Sequence, residues 1–414
     1  MTRSASQRAF AALTGTDEAP SDEARNGMWH VAALTASKLA DGLINPKLVL
    51  SWLLSVMGAP AALVGLLVPV REAGALLPQV FLAPLVQRMR QRRWVWVAGS
   101  AGQGAAAGLI ALAALMLEGM QAGIVILALL GLLAVCRAAC SVSYKDILGK
   151  TVGQTRRGAV TGLAGSAAAV GVFAFAALMV TGVLRAQGAV IGAIGLAGLL
   201  WALAALSLGQ LREEDSTPDR DEAVQSYLRI LREDANLRRF VLVRGLLVST
   251  ALAPPYMVLL GQGGEALRQL GALVLASSAA SFVSSYVWGR LSDRSSRLVL
   301  MIAGLAGAAA MAAAITVSAA GLADVVWTIP AILFVLMLAY QGVRQARSVY
   351  LVDISPENRR SLNAAVANTA IGVILLAAGG LGGALTVIGP HATLAGFALM
   401  ALAGGALAMR LEKP

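Results

Sequence analysis

The sequence predicts an all-α polytopic membrane protein, with twelve transmembrane helices in two pseudo-symmetric six-helix bundles. Three observations carry this expectation. Hydrophobic residues make up 58% of the 414 residues and charged residues only 13%, whereas a soluble domain carries about 25% charged residues, so lipid must be the solvent over most of the surface. Twelve apolar segments are each long enough to span a bilayer. The chain also repeats itself at half its length. Cys136-Arg137-Ala138-Ala139-Cys140-Ser141-Val142, followed by Asp146-Ile147, returns 207 residues later as Val343-Arg344-Gln345-Ala346-Arg347-Ser348-Val349, followed by Asp353-Ile354. Offsets of 205 and 206 carry Ala98–Gly102 onto Ala303–Gly307 and Lys38 onto Arg244.

Taken in order, segment 1 (29–57) holds Lys38, Asp41 and Lys47, with Asn45-Pro46 placed to bend it. Segment 2 (60–87) carries Arg71 and Glu72, and segment 3 (94–117) is uncharged. Segment 4 (122–148) sets Arg137 between Cys136 and Cys140, the only two cysteines. They lie one turn apart, and we read them as small packing residues rather than a disulfide scaffold or metal cluster. Segments 5 (158–184) and 6 (188–211) complete the first half. In the second half, segment 7 (238–261) holds Arg244 and segment 8 (266–289) leads into a charged loop. Segment 9 (297–319) is followed by segment 10 (326–352), with Arg344 and Arg347, and by segments 11 (361–388) and 12 (390–410). Small residues crowd segments 5, 9, 11 and 12, which lets helices approach closely.

The expected organisation is a polar tail (1–28), a first bundle (29–211), a linker (212–237), a second bundle (238–410) and a short tail (411–414). In the linker, Val224, Tyr227, Leu228 and Leu231 have the spacing of an amphipathic helix. The net charge of +11 could suggest nucleic acid, but its distribution excludes that reading. With the N-terminus in the cytoplasm, 24 of the 33 Lys and Arg fall on the cytoplasmic side, two (Arg185 and Arg268) on the other, and seven within the helices. This is the asymmetry of a bacterial-type inner-membrane protein with both termini cytoplasmic. Residues 1–27 have no apolar h-region, so no cleaved signal peptide is expected.

Nine ionisable groups fall inside the apolar segments and away from their ends: Lys38, Asp41, Lys47, Arg71, Glu72, Arg137, Arg244, Arg344 and Arg347. A charge at the bilayer centre costs about 2.5–3.5 kcal/mol or more, so each should face the bundle interior or water. Lys38 and Asp41 are three apart and can pair. Arg71 and Glu72 are adjacent, point apart, and each needs a partner on another helix. Lys38, Asp41, Arg71 and Glu72 can form one neutral cluster that only fixes packing. That leaves Arg137, Arg244, Arg344 and Arg347 without counter-ions, suited to bidentate binding of carboxylate or phosphate. Asp41 and Glu72, with Arg71 beside them, are the acids available to carry a proton.

After segment 8 the chain reads Gly289-Arg290-Leu291-Ser292-Asp293-Arg294-Ser295-Ser296-Arg297. This resembles the loop signature of the major facilitator superfamily, Gly-x-Leu-x-Asp-Arg followed by a base. The corresponding stretch after segment 2, Pro84 to Arg93, keeps the basic run but has Pro84 for the Gly and Arg88 for the Asp. Asp146 with Arg156-Arg157, and Asp353 with Arg359-Arg360, resemble the family's acidic-then-basic loops at the ends of helices 4 and 10. With the twelve segments and the central linker, the resemblance covers nearly the whole chain. It implies a secondary transporter working by alternating access, with helices 1, 4, 7 and 10 lining a central cavity. Lys38, Arg137, Arg244, Arg344 and Arg347 then become the expected substrate contacts. Gly289, Arg290, Asp293, Arg294, Asp146 and Asp353 become an expected conformational latch, with Gly289 at a tight turn, unless these charges merely anchor loops in the cytoplasm.

The expected partners are a small anionic solute, a coupling proton or counter-anion, and the lipid bilayer; no nucleic acid, cofactor or metal is expected, and the protein is expected to be a monomer. A second reading is a proton-coupled drug or metabolite exporter in which the arginines are conformational salt bridges. Segment 5 has Gly162, Gly165 and Gly171 but lacks the Gly-Pro of the drug-antiporter subgroup. An enzyme is not expected. The two imidazoles, His30 and His391, lie near segment ends on opposite faces, and neither a nucleophile elbow nor a phosphate-binding loop is present.

Overall fold

The structure, a computed structural model, describes residues 5–14, 20–184, 186–216, 227–261, 266–356 and 360–412. Among these, the regular structure is helical throughout. Twelve helices are long and apolar enough to cross a membrane, and we number them as spans 1 to 12. They are Ser21–Val56, Ala61–Gln87, Arg93–Met116, Gly119–Thr151, Arg157–Val180, Gln187–Gly209, Ala235–Leu260, Ala266–Ser284, Ser296–Ala319, Thr328–Ile354, Leu362–Leu385 and Pro390–Ala408.

Several spans outrun their apolar segments. Span 4, at 33 residues, is about 50 Å long at 1.5 Å per residue, against a hydrocarbon core of about 30 Å, so it projects into water. Span 1 likewise starts at Ser21, ahead of the apolar boundary at 29, because its polar first turns are held by ion pairs. Glu23 pairs with Arg156 (2.9 Å) and Asp22 with Arg212 (3.0 Å). The polar tail also contains a helix, Ala5–Thr14, whose Phe10 is fully buried against Gly27. A Cβ on Gly27 would fall 2.2 Å from the Phe10 ring. In the linker, Tyr227–Glu233 is helical; Val224 lies outside the described residues.

The internal repeat is visible in the packing. Spans 3–4, 3–6, 1–6, 1–5 and 2–4 pack together in the first half, and spans 9–10, 9–12, 7–12, 7–11 and 8–10 do so in the second. The halves meet through spans 2 and 11 and through spans 5 and 8. Glycine makes two of these crossings possible at pseudo-equivalent places. A Cβ on Gly104 (span 3) would fall 2.8 Å from the Gly198 carbonyl oxygen (span 6), and one on Gly304 (span 9) 2.7 Å from Gly405 Cα (span 12). In lipid, such contact is itself a driving force for association.

Spans 1 and 7, which pseudo-symmetry equates, are both discontinuous. Span 1 is helical over Ser21–Ile44 and Val49–Val56, and breaks at Asn45-Pro46. Pro46 has no N–H to give to the helix. The Asn45 side chain accepts from the Lys47 N–H (3.0 Å), and Ser51 Oγ donates to the freed Pro46 carbonyl (2.7 Å). Span 7 comprises Ala235–Leu247, Ser249–Leu252 and Pro254–Leu260. Its interruption was not foreseen from sequence, although Pro254-Pro255 was the available signal.

The far halves of these broken spans join the two bundles at the end opposite the termini. Val49–Val56 packs on Pro254–Leu260, which also contacts Ala61–Leu76. Tyr256 is fully buried there, set edge-on to Phe397 with centroids 5.6 Å apart. A Cβ on Gly65 would meet its hydroxyl at 2.0 Å, and one on Gly379 would meet Pro69 at 2.0 Å. Among the described residues, the halves are therefore closely packed against each other at the far end.

Candidate functional site

The intramembrane charges divide into two groups, one within the first bundle and one between the bundles. The first is centred on Asp41. Arg71 Nη2 lies 3.0 Å from Asp41 Oδ1, and Arg137 Nη1 lies 2.9 Å from Oδ2. One turn away on span 1, Ser37 Oγ accepts from Arg137 (3.3 Å) and from the Trp201 indole (3.2 Å). The network ties spans 1, 2, 4 and 6 together. It corrects two expectations. Lys38 does not pair with Asp41; its ammonium donates to the Thr161 carbonyl on span 5 at 3.0 Å. Arg137 is not left without a counter-ion, because Asp41 has two carboxylate oxygens and can serve two guanidinium groups at once.

The second group straddles the halves. Beyond the break in span 1, Lys47 lies 3.8 Å from Glu72 on span 2 and 3.5 Å above the Tyr340 ring on span 10. Arg71 and Glu72 thus separate as adjacent helical residues must: one turns to Asp41, the other to Lys47. Glu72 also lines a narrow cavity of about 60 Å³, together with Arg244, Arg344, Arg347 and Tyr340.

Arg244 is the unusual member. It is 4% exposed, and its Nη2 donates to Asn368 Oδ1 on span 11 at 3.0 Å. That partner is a neutral amide, and Arg244 Nε has no hydrogen-bond partner. Among the described residues, no carboxylate lies within 4.0 Å of Arg244, Arg344 or Arg347. A buried cation left in this condition is costly. Asn368 and Tyr340 carry no formal charge, so the charge pattern does not mark them; an amide inside an apolar helix was the signal for Asn368.

At the end carrying the termini, Asp146 pairs with Arg92 and with Lys150, both at 2.7 Å. Glu213, whose side chain is fully buried, accepts from the Arg92 and Arg93 N–H groups at the start of span 3 (3.1 and 2.8 Å). It also lies 3.4 Å from Lys150. An anion at a helix N-terminus meets unpaired N–H groups and a favourable dipole. These contacts all lie within the first half and the linker start. Asp353 is exposed. Gly289 is not at a turn: the helix runs on to Arg294, and the chain reverses at Ser295, which caps the next helix by accepting from the Leu298 N–H (3.2 Å). The side chains of Arg290, Asp293 and Arg294 lie outside the described residues.

The sequence model of the Major Facilitator Superfamily matches residues 248–414. That stretch is less than half of the chain, and it makes the second half similar to this family. The first half, with Pro84 and Arg88 where the loop signature has Gly and Asp, falls outside the matched stretch. The fold is shared with solved transporters across both halves. One is the nucleoside transporter NupG (D323A mutant), at TM-score 0.72 and 10% identity over 93% of this chain and 99% of that one. Another is a POT family transporter in complex with a thioalcohol-conjugated peptide, at 0.71 and 11% over 93% and 96%. A third is a D-xylose–proton symporter, at 0.69 and 13% over 93% and 97%. No curated protein matches the sequence. With twelve helices long and apolar enough to cross a bilayer among the described residues, the protein is a multi-pass membrane protein.

Proposed function

We propose that this protein is a secondary transporter that carries a small organic anion across the inner membrane by alternating access, with both termini in the cytoplasm. The observation that supports the anion is Arg244: a buried guanidinium whose bonded partner is an amide, in a cavity shared with two further arginines. A carboxylate or phosphate there supplies the missing charge and the missing acceptor together. Lys38 and Arg137 are less suited to direct contact, since Thr161 and Asp41 already hold them. The Asp41 network fits instead the salt-bridge role of the exporter reading, so the two readings divide between the two charge groups.

With its halves closely packed at the far end, the described conformation corresponds to the cytoplasm-facing half of the cycle. Glu72 is the acid we assign to coupling, because it shares the cavity with the arginines and is 39% exposed in its side chain, whereas Asp41 is held by two arginines. Entry of an anion and protonation of Glu72 are then linked through one local charge balance. The test is a thermal-shift screen of the protein in lipid nanodiscs against carboxylates, phosphates, neutral solutes and amines, with Arg244→Gln alongside. A bound anion raises the melting temperature by mass action. Stabilisation by amines or neutral solutes, unchanged in Arg244→Gln, rejects the anion reading.

A further inference from the structure

The cavity beside Arg244 has a mixed lining: the cationic groups of Arg244, Arg344 and Arg347, and aliphatic side chains that include Leu247, Val248, Ile371 and Leu375. Those four side chains are 0%, 8%, 0% and 4% exposed. From this juxtaposition we propose that the ligand is amphipathic: a single carboxylate or phosphoryl head joined to an apolar body, rather than a polyhydroxylated anion such as a sugar phosphate. The proposal rests on the anion reading above and adds the chemistry of the rest of the ligand.

The argument is one of hydrogen-bond supply. A hydroxylated body moved from water into this cavity needs a partner for each hydroxyl, or it loses its hydration without replacement. The neutral polar side chains on the cavity wall are Thr250 and Tyr340. The Thr250 hydroxyl already donates to the Leu247 carbonyl (2.8 Å), which leaves the Tyr340 hydroxyl as the neutral partner once the anionic head engages the arginines. Glu72 faces the arginines and repels a second anionic group. An apolar body asks for no such partners. It also excludes water from the arginines, and a charge-assisted hydrogen bond is stronger where the dielectric is low.

Affinity measured by calorimetry in nanodiscs tests this with defined probes: inorganic phosphate, hexyl phosphate, acetate, hexanoate, glucose 6-phosphate, hexanol and hexylammonium. Each buried methylene is worth roughly fourfold in affinity. We expect hexyl phosphate and hexanoate to bind at least about tenfold tighter than inorganic phosphate and acetate. Ile371→Thr and Leu375→Ala should remove most of that gain while changing inorganic phosphate binding less than about twofold, which shows the variants folded with the cationic groups intact.

Inorganic phosphate binding as tightly as hexyl phosphate, or glucose 6-phosphate binding tighter than it, overturns the amphipathic ligand and leaves the anion reading standing. Hexanol or hexylammonium matching hexyl phosphate overturns the anion reading itself. A final arm separates two sources of the same chemistry. Lysophosphatidate placed in the disc either displaces hexyl phosphate, so that the ligand comes from the bilayer, or fails to, so that it comes from solution; both results uphold the class.

Discussion

Lys47, just past the break in span 1, sits 3.5 Å above the ring of Tyr340 on span 10 and so links the two halves of the chain beside the cavity. A desolvated cation–π contact of this kind is worth about 2 kcal/mol, enough to bias a two-state equilibrium by more than tenfold.

Lys47→Met and Tyr340→Leu should therefore weaken the packing between the halves at the far end. With a cysteine at Ala251, the rate of labelling by a membrane-impermeant thiol reagent from the far side should rise several-fold in either variant. An unchanged rate would show that the apolar packing around Tyr256 closes the cavity without help from Lys47.

Asp41→Asn should destabilise the first bundle, because Arg71 and Arg137 lose their shared carboxylate. Each is partly exposed, so the expected cost is about 1–3 kcal/mol, read as a lower melting temperature. Adding Arg137→Gln should recover part of the loss, since one fewer cation is left unpaired. No recovery in the double variant would remove the salt-bridge account of this network.

Arg244 should behave in the opposite way. Arg244→Lys keeps the charge but loses the planar fork, and should weaken anion binding while the protein stays folded; Arg244→Gln should weaken it further. Adding Asp41→Asn should not restore it, because Asp41 belongs to the other group. Restoration would merge the two groups and favour the exporter reading for both.

Glu72→Gln should abolish the pH dependence of transport if Glu72 carries the coupled proton. Substrate-driven proton uptake in proteoliposomes measures this directly. Proton uptake that persists in Glu72→Gln but is lost in Asp41→Asn would transfer the role to Asp41.

Cysteines placed at Glu214 and at Asp324 should label from opposite sides of the membrane, with Glu214 on the cytoplasmic side. Labelling of both from one side would contradict the assigned topology.

The sequence by itself determined the spans, the repeat and which charges fall within the spans. These are one-dimensional quantities: an apolar stretch long enough to cross lipid must cross it, because the bilayer core offers the backbone no other hydrogen-bond partners. It also placed a bend at Asn45-Pro46, which follows from the missing proline N–H. It could not say which charge meets which. Lys38 and Asp41 share a helix face, yet the nearest acceptor for Lys38 is the Thr161 carbonyl, and the nearest cations for Asp41 come from spans 2 and 4. Nor could it show that Arg137 is neutralised while its repeat partner Arg344 is not. The two positions are equivalent in the repeat, but span 1 brings Asp41 to Arg137, and span 7 has Leu247 at the matching offset from Arg244. Pairing is settled by distances of a few ångströms between helices remote in sequence, and only the tertiary structure sets those distances.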